Sequence, residues 1–372
     1  MRLLYFDFEL PYLINDADMP VGGAAVEWSN WIKGFVENGH ELGVMTWKGA
    51  EQYVSDSDIP FEWVETYSNN EGIRYIRTFT LRLPRLISAI RYFKPDVVIK
   101  GCASLSTGLI CMAAKICNVP FVYRAANDMD ADNRYKQRMS KLEAKMYDYG
   151  ITNSAAIVCQ NQYQYDMFSR NFPKKKITTI YNPYNIDSLS NNSNCQKREY
   201  VAWLGVFQKQ KNLPALYEIV KQLPNVHFRI GGKKASKGVD LETEKALNKL
   251  EESPNVTFEG YIKRTEVSKF LSGAKLLLNT SHYEGFSNTF LESFASGTPI
   301  VTTRMVDPDN IIERHSLGEI AATHDDLAEL VMKVVESQNY ESLSDKCFSY
   351  LIKNHSHIDL SDRFHSFLKE AI

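Results

Sequence analysis

A chain of 372 residues is too long for one ordinary hydrophobic core and suggests two domains. Its hydrophobic fraction of 44% and charged fraction of 24% are those of a globular protein, and a net charge of −2 excludes a global field that would draw in nucleic acid. The six cysteines form no CxxC pair, which excludes a zinc or redox motif of that kind, and no apolar run reaches membrane-spanning length: the best, 109–123, is broken by Lys115, Asn118 and Pro120.

Residues 1–13, MRLLYFDFELPYL, lack the cleavage region of a signal peptide and contain Asp7 and Glu9, so the expectation is a cytoplasmic protein with reduced thiols. Strands are expected at 2–6, 41–46, 73–79, 96–100, 121–123, 156–159 and 177–181, and helices at 24–38, 85–93, 105–117 and 140–149. In the first of these helices Trp28, Trp31, Ile32, Phe35 and Val36 share a face, and Gly39 is the stop. Residues 187–198, DSLSNNSNCQKR, are polar and rich in Asn and Ser, the composition of a linker. That places a first domain at 1–187, a linker at 188–198 and a second domain at 199–355. There the alternation restarts, with strands at 200–204, 227–230, 256–258, 275–278 and 300–303 and helices at 213–223, 242–251, 266–271, 327–337 and 342–354. An amphipathic helix near 359–371 ends the chain. Such alternation argues for parallel α/β sheets covered on both faces, in which ligands bind outside the carboxyl ends of the strands. Short basic runs at Lys174, Lys175 and Lys176, at Lys209 and Lys211, and at Lys233, Lys234 and Lys237 suit peripheral contact with anionic lipid at the inner face of a membrane.

The most informative stretch is SHYEGFSNTFLESFASGTPIVTT, residues 281–303, which reads as loop, helix and strand. Glu284 falls in the loop. Ser287, Asn288 and Thr289 supply capping chemistry, and Gly297 with Pro299 stops the helix. Glu292 follows Asn288 by four residues and so shares its face. Two carboxylates are thus expected to converge on a helix N-terminus, whose unpaired N–H groups and dipole suit a phosphate. Carboxylates also accept hydrogen bonds from sugar hydroxyls. A site offering both is what a nucleotide-activated sugar needs.

The run Glu284-Gly285-Phe286-Ser287, followed by Leu291-Glu292, Gly297-Thr298-Pro299 and Val301, resembles the paired-glutamate motif of glycosyltransferase family 4, the retaining GT-B enzymes. The resemblance implies two doubly wound, Rossmann-like α/β domains facing a central cleft, with residues 356–372 returning to the N-terminal, acceptor-side domain. It also implies a nucleotide diphosphate sugar, UDP- or GDP-linked, as co-substrate, with no other cofactor and no metal. Gly22-Gly23-Ala24 resembles the family's Gly-Gly loop near the donor diphosphate. In the segment 203–212, Lys211 matches a family lysine, whereas Val206 stands where an arginine is usual; Lys209 is near enough to compensate. Residues 181–187 resemble the stretch that shapes the hinge. Residues 255–262 resemble the strand and turn flanking the base, with backbone groups of Tyr261 and Ile262 as contacts. The implied donor set is Gly22, Gly23, Lys209, Lys211, Tyr261, Ile262, Gly285, Phe286, Ser287, Asn288 and Glu292.

Where relatives carry a His-Asp pair near the acceptor, this chain has no histidine; Asp128 matches the aspartate. Asp128, Asp130 and Asp132 also have the alternate spacing of a divalent-metal loop. The expected reaction is retaining transfer to a saccharide or lipid-linked glycan. Glu284 orients the sugar, Glu292 the ribose, and helix amides with Lys211 stabilise the departing phosphate. Rivals of the same shape are a nucleotide-sugar epimerase, a phosphorylase or a non-catalytic nucleotide-sugar-binding protein. A nicotinamide dehydrogenase is disfavoured by the absence of GxGxxG.

Overall fold

The computed structural model describes residues 1–15, 21–54, 60–73, 76–189, 197–235 and 238–372; most of the expected linker, Cys195 and Lys237 lie outside them. The chain divides into two compact units. The first comprises Met1–Ala17, Val21–Asn185 and Ser356–Ile372, and Ile186–His355 belongs to the second.

In the first unit, β1 (Arg2–Phe6), β2 (Glu41–Thr46), β3 (Glu62–Glu65), β4 (Val97–Gly101), β5 (Phe121–Arg124), β6 (Ala156–Cys159) and β7 (Lys176–Thr179) form one sheet. Its order is β3-β2-β1-β4-β5-β6-β7, and every pairing is parallel. Both faces are covered, which is why β4 is buried at every position. Side chains alternate between two cores: Leu4 and Phe6 join one, Leu3 and Tyr5 the other. The helix His357–Ala371 closes the second of these cores against the helix Gly23–Glu37, with Phe364 5.2 Å from Trp31 and 5.6 Å from Phe35 between ring centroids. The two helices approach so closely that a Cβ on Gly34 would lie 2.2 Å from the carbonyl oxygen of His357.

One expected strand is corrected. Within 73–79 the described residues make helical turns, with Ile76 and Arg77 N–H groups donating to the Ile73 carbonyl, and a π-helical turn Thr78–Arg82 leads into the helix Leu83–Phe93. The neighbour of β2 is instead β3, whose Glu-Trp-Val-Glu sequence hides its strand character.

The second unit has six parallel strands: β8 (Tyr200–Leu204), β9 (Phe228–Gly231), β10 (Val256–Gly260), β11 (Ala274–Leu278), β12 (Ile300–Thr303) and β13 (Gly318–Ala321). Their order is β10-β9-β8-β11-β12-β13. Val201, Trp203, Ile230, Leu276, Leu278 and Val301 pack in its core with Leu216 and Val220 of the helix Leu213–Gln222. Each sheet therefore reverses direction once, between β1 and β4 and between β8 and β11. A crevice opens at such a point because the two connections leave to opposite sides. Among the described residues, no helix is long and apolar enough to cross a membrane.

Candidate functional site

The second reversal point brings together Lys211 and Glu284, both named from the sequence. Beyond β8 the chain makes a 3-10 turn, Lys209–Lys211, before the helix Leu213–Gln222. Asn212 takes the left-handed conformation (φ 49°) and caps that helix by accepting from Ala215 N–H at 3.4 Å. Beyond β11 the loop runs through Thr280 and Ser281 to Glu284. The two loops are stitched together: Trp203 Nε1 donates to Thr280 Oγ1 (3.1 Å), Thr280 Oγ1 donates to the Lys211 carbonyl (2.8 Å), and His282 N–H donates to the Gln210 carbonyl (2.8 Å).

Glu284 sits inside this seam. Its Oε1 accepts from Lys211 Nζ at 2.5 Å and from Ser281 Oγ at 2.7 Å, and its Oε2 accepts from Gln210 Nε2 at 3.2 Å. The side chains of Lys211 and Glu284 are only 14% and 12% exposed, so their attraction is weakly screened. Lys209, by contrast, is exposed. Gln210 and Ser281 were not singled out from sequence.

Glu292 lies on the helix Asn288–Ala295 and is buried. Its Oε1 is ion-paired with Arg264 Nη1, at the first position of the helix Arg264–Ser272 beyond β10. The two glutamates are thus held by different cations from different elements, and Arg264 was not anticipated. Tyr261 and Ile262 follow β10 directly, half-buried, with Lys233 Nζ 4.6 Å from the Tyr261 ring centroid. Gly285, Phe286 and Ser287 are buried and Asn288 is half-buried; the Phe286 ring lies 5.3 Å from that of His355. The capping expectation is corrected. Ser287 is the N-cap residue, but its hydroxyl pairs with Thr289 Oγ1 at 2.7 Å and makes no capping bond to the backbone.

In the first unit, Gly22 is the N-cap of the helix Gly23–Glu37. Its backbone N–H donates to Glu9 Oε2 at 2.6 Å, and a Cβ on Gly22 would stand 2.7 Å from that oxygen. A carboxylate already occupies the donor that was expected to meet phosphate, and burial raises the pKa of Glu9. Asp7 beside it accepts from Glu9 N–H (2.6 Å) and Leu10 N–H (2.8 Å), and burial raises its pKa against the pull of Lys100.

Asp128 opens the short helix Asp128–Ala131, capped by Asn127 through Met129 N–H at 2.9 Å. Its Oδ1 accepts from Asn161 Nδ2 (2.9 Å) and Gln164 Nε2 (3.0 Å), and burial pushes its carboxyl up to about 6. Asp130 accepts from Tyr123 Oη (2.9 Å) and Ala126 N–H (3.2 Å) and is likewise pushed by burial to about 6. Asp132 pairs with Arg134 at 2.5 Å. The three aspartates of the alternating run therefore turn to three separate sets of partners.

Behind this loop lies a buried ion pair that sequence reasoning missed. Arg124, 0% exposed, donates from Nε to Glu27 Oε1 (2.8 Å), from Nη1 to the carbonyls of Cys159 (2.8 Å) and Ile180 (2.6 Å), and from Nη2 to Asn182 Oδ1 (2.8 Å). Glu27 also accepts from Trp31 Nε1 (3.0 Å) and Gln160 Nε2 (2.9 Å). Such a pair survives burial because each guanidinium nitrogen and each carboxylate oxygen finds a partner.

Residues 21–188 match the family model described as Glycosyltransferase Family 4, and residues 186–350 match the one described as Glycosyl transferases group 1. An uncharacterised glycosyltransferase of Methanocaldococcus jannaschii is 24% identical over 195 residues, 52% of this chain; the matched part spans 53%, about half, of that relative. Sucrose-phosphate synthase of Thermosynechococcus elongatus superposes with a TM-score of 0.77 at 12% identity, covering 100% of this chain and 98% of that one. Anabaena HepE, solved in complex with UDP-glucose, superposes with a TM-score of 0.74 at 14% identity, covering 100% of both chains. At such identities these structures establish the fold, which is GT-B.

Proposed function

We propose, on the premise that this chain belongs to the family 4 glycosyltransferases of GT-B fold, that it moves a sugar from a nucleoside diphosphate sugar to a saccharide or lipid-linked acceptor with retention of anomeric configuration. The observation that carries the reading is the Lys211–Glu284 pair, set where the sheet of the second unit reverses direction. In the reaction the bond from the anomeric carbon to the diphosphate breaks, and its electron pair stays on the diphosphate oxygen. The acceptor oxygen bonds the same carbon and gives up its proton to that departing oxygen. This protein's work is then largely electrostatic. Lys211 and the amides entering the helix Asn288–Ala295 offset the charge that develops on the leaving group. Glu284 orients sugar hydroxyls while holding Lys211 in place, and Glu292, steadied by Arg264, takes the ribose. Asp128 orients the acceptor. Neither metal nor a further cofactor enters this reading.

UDP-sugars come first in the test because the HepE structure holds UDP-glucose. Thermal-shift measurements with UDP-, GDP- and ADP-sugars should give one clear stabilisation that Glu292→Ala weakens. The anomeric configuration of the product, read by NMR, then decides retention. Donor conversion with no acceptor present would favour an epimerase. Absence of any shift, with Glu284→Gln behaving as the wild type, would remove the basis of the proposal.

A further inference from the structure

The segment from Ile76 to Lys94 contains Arg77, Arg82, Arg85, Arg91 and Lys94 and no Asp or Glu. It carries +5 in a chain of net −2, so the remaining residues carry −7 (38 Lys and Arg against 45 Asp and Glu). None of the sugar-transfer chemistry uses this concentration of charge. At the segment's start stand three exposed apolar side chains: Ile73 is 69% exposed, Ile76 52% and Phe79 51%. They are not scattered. Ile76 N–H donates to the Ile73 carbonyl and Phe79 N–H to the Ile76 carbonyl, bonds between residues three apart that bring the three side chains onto one face.

The arginines behind them are held in place. Arg82 donates to the Asn69 carbonyl at 3.2 Å with its guanidinium 5.0 Å from the Tyr67 ring centroid, and Arg85 pairs with Glu71 at 3.0 Å. Glu71 meets Arg85, and Glu62 with Glu51 lies beside Tyr92 of the same helix; three acids against five cations leave the segment net positive. The basic run at Lys174, Lys175 and Lys176 is a poorer candidate. Lys175 donates to the carbonyls of Thr152 and Ser154, and Lys176 to that of Glu370.

Apolar side chains projecting from a cationic surface have no favourable place in water. They do have one in a bilayer interface, where apolar groups sink to the acyl boundary and Lys and Arg meet anionic headgroups. We infer that Ile73, Ile76 and Phe79, with the arginines of the adjoining helix Leu83–Phe93, form a face that docks the first unit on an anionic lipid surface. The inference is independent of the donor-site reading, since it requires no turnover.

Co-sedimentation of the full chain with vesicles of phosphatidylcholine alone, and with about one-third phosphatidylglycerol, tests it. The expected result is binding to the anionic vesicles only, weakened as salt rises from about 0.1 to about 0.5 M. The pair Ile76→Asp with Phe79→Asp should lose about tenfold or more of the binding. Arg77→Glu should lose about fivefold. Because Ile76 and Phe79 are exposed, the thermal midpoint of the Asp pair should stay within about 2 °C of the wild type. Equal binding to both vesicle types overturns the inference, as does full retention by the Asp pair. Failure to bind combined with a concentration-dependent dimer that the Asp pair abolishes overturns it in favour of a second copy of this chain.

Discussion

The two units hold their candidate acids in opposite ways. In the second, Glu284 faces the ammonium of Lys211 in a 3-10 turn and Glu292 the guanidinium of Arg264 at a helix start. In the first, Asp128 faces two neutral amides, and burial pushes its carboxyl up to about 6. Arg134 acts on Asp128 only through space while pairing with Asp132, and Arg124 is buried and turned to Glu27. A carboxylate locked to a cation serves as a fixed negative ligand. A carboxyl surrounded by neutral amides at low dielectric is one that can change protonation close to neutral pH.

The sharpest way to break this contrast is at Glu284. Glu284→Gln or Lys211→Met should lower turnover about 10²–10³-fold, the loss of about 2.7–4 kcal/mol seen when one preorganised charge-stabilising donor is removed. The double variant should be little worse than either single one, because the two act as a unit. Steady-state kinetics with full additivity would separate them. Asp128 comes next. Its carboxyl titrates at about 6 in the folded chain against 3.8 for the free side chain. Between those values the folded state binds more protons than the unfolded one, so stability rises as pH falls through about 6, and the cost of burying the charge, about 2–3 kcal/mol, is fully present above it. Asp128→Asn keeps the acceptor oxygen and should therefore stabilise the protein at pH 7 while changing little near pH 4. Urea unfolding at the two pH values checks this; parallel curves for wild type and variant would show that the carboxyl is not titrating there.

Arg264→Ala leaves Glu292 buried without its guanidinium. Arg264 is 33% exposed, which discounts the penalty to about 1–2 kcal/mol in thermal unfolding, with donor affinity falling more than turnover. An unchanged KM for the donor would detach Arg264 from the site. The smallest effect is expected at Glu9. Glu9→Gln keeps an acceptor for Gly22 N–H but removes the negative charge at that helix end, and should lower the donor KM about two- to fivefold. A rise in KM instead would give Glu9 a supporting role.

Much of the fold could be read from the chain because buried parallel strands are plain apolar runs, as β4, β6, β8 and β11 are. Reading failed where local composition misleads. β3 carries two glutamates in four residues, and β13, Gly-Glu-Ile-Ala, is a short edge strand. Ile73, Ile76 and Phe79 look like parts of a strand, but the bonds joining them are those of helical turns exposed at the surface. In the candidate site, the motif from Glu284 to Glu292 was visible because it is contiguous. The pairings were not, because they are long-range: Lys211, itself named from the sequence, lies 73 residues before Glu284, and in the first unit Arg124 meets Glu27 across 97. Such pairings are products of strand order, which spacing along a sequence does not encode.

The close seat of the last helix on Gly34 has a consequence for biogenesis. Asn38 bonds Ser361 across 323 residues, so the ribosome delivers one half of this contact long before the other. Residues 186–355 of the second unit are made in between. Until Phe364 arrives, Trp31 and Phe35 lack one of their buried neighbours, and the nascent first unit is a surface that a chaperone can recognise.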